Sequence, residues 1–116
     1  MLITTNMRQY TIDQLSAADH AGLQQHLVRH FPGPGMEGLY WVPLEPDLLA
    51  APQRAHPACQ PFYFARELLP DRLVCELLVR TRQRVRCDCV AYADRRQREW
   101  LMALIDDLLA TLGVNA

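Results

Sequence analysis

The chain has 116 residues, half of them hydrophobic, and a formal net charge of −1. That length and content suit one globular domain over residues 1–116, and a near-neutral balance excludes a global field that would gather nucleic acid or a membrane surface. All twelve basic residues are arginine, which together with abundant Ala, Leu and Pro reads as the coding bias of a GC-rich, bacterial-type genome.

Met1 to Arg8 lacks the cationic start and apolar centre of a secretory signal. The longest apolar run, Trp100–Ile105, falls far short of the ~18 residues of a membrane span. A cytoplasmic protein with reduced cysteines and no membrane partner is expected. Around Tyr10-Thr11-Ile12 a short segment is extended. Ser16 is a good N-cap for a helix from about Ala17 to Phe31, with Asp19 favourably placed in its first turn. Leu23, Leu27, His30 and Phe31 approach the core, and Pro32-Gly33-Pro34-Gly35 ends the helix. Leu39–Val42 is a short strand that Pro43 places at an edge. Five prolines between Pro43 and Pro61 then make a stiff connection.

From Phe62 to Tyr92 three strand-like runs follow. A type I turn on Pro70-Asp71 opposes Leu68 to Leu73, Phe64 to Leu77 and Phe62 to Val79. Alternation then puts Phe62, Phe64, Leu68, Leu73, Cys75, Leu77 and Val79 on one face. A second turn within Thr81–Arg84, if of odd length, adds Val85, Cys87, Cys89 and Ala91 to that face, and burial selects this register. Arg66 then points inward opposite Cys75. A long side chain can reach the core rim, so its guanidinium is expected there. The last helix is capped by Asp94 and ended by Gly113, with Leu101, Leu104, Ile105, Leu108 and Leu112 as its buried stripe. The order α-β-β-β-β-α gives an α+β two-layer sandwich: an antiparallel meander of three strands, plus an edge strand, packed against N- and C-terminal helices.

Element order from Ala17 to Leu112 is similar to that of double-stranded RNA-binding domains, which use basic residues near the start of their last helix. Ala93-Asp94-Arg95-Arg96 stands here where those domains carry a glycine-rich approach and a lysine pair. The resemblance implies a nucleic-acid or anion-binding surface on Arg95, Arg96 and Arg98. Seven arginines fall between Arg80 and Arg98. Those at the hairpin tip and those on the helix are separated by roughly 25 Å at ~3.3 Å per residue.

The cysteines offer a second chemistry. His56, Cys59, Cys75, Cys87 and Cys89 form a tolerable set for a structural zinc. Thiols two apart on a strand lie ~6.6 Å apart, however, whereas tetrahedral zinc needs sulfurs nearer ~3.8 Å, and buried cysteine commonly packs as a small hydrophobe. His26 and His30 share a helix face, but no glutamate follows His26 as a zinc-protease pattern requires. No P-loop, dinucleotide fingerprint or nucleophile elbow is present.

The outer sheet face mixes charge with Tyr63, Val74, Leu78, Val90 and Tyr92. Such a face suits a contact surface, most simply for a homodimer. The expected function is a non-catalytic binding module that self-associates through this face. Nucleic-acid or anion binding is the alternative, and a zinc-stabilised domain the third reading.

Overall fold

Apolar side chains alternating from Phe62 to Thr81 build the middle of an antiparallel sheet. It is seen here in a computed structural model that describes residues 8–31, 38–81 and 90–114. Strand β3 (Phe62–Leu69) turns through Pro70-Asp71 into β4 (Arg72–Glu76), which continues past Leu77 as β5 (Leu78–Thr81). Phe62, Phe64, Leu73, Cys75, Leu77 and Val79 are all buried on one side, as period-two alternation requires. Strand β2 (Leu39–Pro43) pairs with the other edge of β3, and Pro43 sits on the outside edge.

The far edge is divided between two short strands. β1 (Gln9–Ile12) pairs with β4, and β6 (Ala91–Tyr92) pairs with β5. They meet at Leu77, whose N–H donates to the Arg8 carbonyl at 3.0 Å and whose carbonyl accepts from Ala93 N–H at 2.7 Å. The chain therefore folds as an α+β protein: a six-stranded antiparallel sheet, an N-terminal helix and a long C-terminal helix.

The hairpin register departs from expectation in one respect. Leu68 does oppose Leu73, and Arg66 opposes Cys75, but Phe62 pairs with Thr81 instead of Val79. Between these pairs β3 advances from Arg66 to Phe62 while its partner advances from Cys75 to Thr81, two residues farther. The bulge falls around Leu77, where the backbone groups of that residue turn to β1 and β6. A slip of two preserves the face of every side chain, so the core pattern survives. Ala91 shares the parity of Val79 and pairs with it directly, but at the sheet edge it is exposed where burial was expected. Val85, Cys87 and Cys89, and the Pro-Gly run after Phe31, lie outside the described residues.

Helix α1 (Ala17–His30) starts at a capping box: Asp19 N–H donates to Ser16 Oγ at 3.0 Å and Ser16 N–H to Asp19 Oδ2 at 3.3 Å. Helix α3 (Arg95–Leu112) uses Asp94 and Gln97 in the same way and ends at Gly113 in the left-handed region, φ +70°. Leu23 and Leu27 of α1, with Leu101, Ile105, Leu108 and Leu109 of α3, join the inward strand residues in one core. Between β2 and β3, two 3-10 turns (Pro46–Leu48, Pro57–Cys59) flank a short helix α2 (Ala51–Arg54). Their Leu48, Leu49, Gln53 and Cys59 are buried too.

Arg66 corrects another expectation. Its side chain does point inward but does not reach the rim: the residue is only 1% exposed. Tyr40 and Cys75 are its neighbours across the two strand pairs, and its Cζ lies 4.5 Å from the Phe31 ring centroid.

Candidate functional site

Leu23 and Leu27 of α1, Leu101, Ile105, Leu108 and Leu109 of α3, and Leu48, Leu49 and Cys59 of the β2–β3 connection are buried in the core shared with the inner sheet face. None of the described helices lies on the outer face. There Trp41, Tyr63, Ala65, Val74 and Leu78 are half-buried, and Tyr92 is 43% exposed. The Trp41 and Tyr63 rings lean together with centroids 4.6 Å apart. Along this face Arg80 Nε donates to Glu76 Oε1 at 2.6 Å. The hydrogen bond from Arg80 to Glu76 is the main reason its guanidinium is held more firmly protonated than usual. Glu67 and Arg72 supply a further acid and base on the same strand parity, so β3, β4 and β5 place two acids and two arginines on this face. At its far corner Arg8 Cζ stands 4.4 Å from the Tyr92 ring centroid.

Of the five residues expected on the contact face, Tyr63, Val74, Leu78 and Tyr92 share it; Val90, half-buried, precedes β6 and also packs against the core. Trp41 belongs to the face through β2, where it pairs with Ala65. It also borders a cavity of about 260 Å³ that reaches Phe31, Pro61 and Tyr63. A strand parity count on Leu39–Pro43 against β3 is the signal that would have placed it.

The zinc candidates do not converge among the described residues. Cys59 is buried beside Thr81, whose hydroxyl donates to the Cys59 carbonyl. Cys75 is six positions along the same strand, up to about 20 Å away at ~3.3 Å per residue. Burial pushes the Cys75 thiol up to about 12 although Arg66 pulls it back in part, so at neutral pH it is held as the thiol. His56 Nδ1 is 2.6 Å from the Pro52 carbonyl. No three His, Cys, Asp or Glu side chains among the described residues are grouped to hold a metal. Cys87 and Cys89 lie outside them. His26 and His30 do share a helix face, with ring centroids 4.4 Å apart. Desolvation, followed by His30, Arg66 and Arg29, holds His26 below the ordinary histidine range.

The arginines at the start of α3 are engaged separately. Arg95 Nε donates to Glu99 at 3.0 Å, and Arg96 Nη2 donates to the Asp47 carbonyl at 2.5 Å. At the helix N-terminus, Gln97 N–H donates to Asp94 Oδ1 at 2.8 Å, so a carboxylate of the chain already occupies the place a phosphate would take. Arg98 is half-buried. Arg82, Arg84 and Arg86 lie outside the described residues.

No helix among the described residues is long and apolar enough to cross a membrane. No family model, no curated protein and no solved structure matches the chain.

Proposed function

We propose that this protein is a non-catalytic interaction module whose outer sheet face binds a second copy of itself. The supporting observation is the Trp41–Tyr63 pair continuing through Ala65, Val74 and Leu78 with no described helix over it. Apolar faces of this kind, rimmed by charge, mark contact surfaces. A second copy is the occupant favoured by charge: among the described strand residues Glu67 and Glu76 with Arg72 and Arg80 complement the same set rotated through a two-fold axis. With that axis along the strands, Tyr92 of one copy lies over Trp41 and Tyr63 of the other. Aromatic anchors at such positions carry much of an interface's energy.

Four strand positions at ~4.8 Å by six residues at ~3.3 Å give a flat footprint of about 400 Å². Side-chain relief enlarges it toward the small end of specific interfaces, so a micromolar dimer is expected. Light scattering on a sizing column over a concentration series tests this. A dimer forming across the micromolar range is the expected result. Leu78→Arg sets two like charges near Arg80 of both copies and should weaken association about 30-fold or more, with the fold retained. A strict monomer at several hundred micromolar would remove the proposal.

A further inference from the structure

A guanidinium buried in apolar surroundings needs an anion. Arg66 is 1% exposed, and none of its three guanidinium nitrogens has a hydrogen-bond partner among the described residues. The contact it does make is with the face of Phe31. It forms the floor of a cleft of about 180 Å³ between α1 and α3, walled by His26, Phe31, Leu104, Asp107, Leu108 and Thr111. Asp107 and Thr111 are exposed at the mouth, whereas Leu108 is buried.

We propose that this cleft binds a small organic monocarboxylate, with the Arg66 fork gripping the carboxylate and a short apolar tail lying between Phe31, Leu104 and Leu108. The Arg66 nitrogens are closed off in the free protein, so a carboxylate reaches them by displacing a wall side chain. The guanidinium then offers two parallel N–H donors that match one carboxylate, and the leucine and phenylalanine walls suit an uncharged remainder. Thr111 offers one hydroxyl at the mouth. Asp107 selects against doubly charged ligands, because a second negative group would meet its carboxylate. Burial lowers the Arg66 pKa only to about 10, so the floor stays cationic at neutral pH. His26 on the wall is held toward its neutral form, with Arg66 among the causes. The cleft lies on the inner side of the sheet, away from the proposed self-contact face, so the two readings stand independently.

The test is thermal unfolding and NMR titration of the full chain with butyrate, against sodium chloride of equal ionic strength. Butyramide, its neutral isostere, and succinate serve as comparisons. Butyrate should raise the melting temperature in a dose-dependent way and shift His26, Leu104 and Leu108 signals. Butyramide should do neither, and succinate should bind about tenfold more weakly or less. Arg66→Met should abolish the butyrate response and raise the melting temperature of the free protein by about 5 °C, since it removes an unpaired buried charge. Equal responses to butyrate and butyramide would reduce the cleft to an apolar hollow and overturn the proposal. So would a destabilised Arg66→Met together with a wild type indifferent to butyrate, because Arg66 would then be paired with an acid of the chain itself. Should that variant fail to fold, the butyrate and butyramide titrations of the wild type still decide.

Discussion

Tyr10 reaches from the inner side of β1 to α3, where its hydroxyl donates to Asp106 Oδ1 at 2.6 Å. That hydrogen bond, then partial desolvation and the Asp106 charge, push its pKa up to about 12 from 10.0. The folded state therefore holds the phenolic proton more tightly than the unfolded chain. Its stabilising effect is complete below pH 10 and fades as pH rises toward 12. Tyr10→Phe should cost about 1 kcal/mol at neutral pH, as an exposed charge-assisted bond does. It should also flatten the fall in stability between pH 10 and 12 measured by urea unfolding; an unchanged alkaline slope would show that the bond does not form in solution. Strand parity turned Arg66 inward correctly, but reaching the rim requires a nearby rim. Arg66 has a paired strand on either side and Phe31 across its guanidinium. Neither neighbour is encoded in the hairpin that fixed its parity.

Both helices were legible because their boundaries are local chemistry. Ser16 with Asp19, and Asp94 with Gln97, satisfy backbone donors within a turn, while Gly113 takes a conformation that other residues resist. The β3–β4 turn was legible for the same reason. Of β1 only the extended character of Tyr10-Thr11-Ile12 was legible; its pairing with β4 and the bulge at Leu77 were not, because they exist only through distant partners: Gln9 pairs with Glu76, and Leu77 is bonded to Arg8 and Ala93. Gln97 carries a similar long-range role. Its buried Nε2 donates to the Leu48 carbonyl at 2.9 Å and to Gln53 Oε1 at 2.8 Å, while its own Oε1 accepts from Asp94 N–H at 3.1 Å. The side chain thus caps α3 and pins it to the β2–β3 connection. Gln97→Ala would take the side-chain partner from the Leu48 carbonyl and Asp94 N–H, while Gln53 Oε1 would keep Ala50 N–H, and should destabilise the fold by about 2 kcal/mol. A lower urea midpoint at unchanged m-value is the expected sign. A loss below about 0.5 kcal/mol would mean that water replaces the amide.

A two-layer molecule with one covered sheet face must leave the other to water or to a partner. The strands of this protein use Trp41, Tyr63, Val74 and Leu78 on that second face, where a solvated sheet would alternate to polar residues. If the face closes against a second copy, folding and association become linked, and stability depends on protein concentration. Well above the dissociation constant, each tenfold increase in concentration adds ~1.4 kcal/mol per dimer, or ~0.7 kcal/mol per chain. For a domain of this size that corresponds to a rise of about 2–4 °C in melting temperature. Wild type should show this climb between ten and several hundred micromolar. Leu78→Arg should remain flat and coincide with the wild type at the dilute end, because position 78 contributes half-buried surface and no core volume. Parallel climbs in both proteins would place the interface elsewhere. Flat curves in both would leave the outer face to a different partner, and the aromatic pair of Trp41 and Tyr63 would then be the surface from which to seek it.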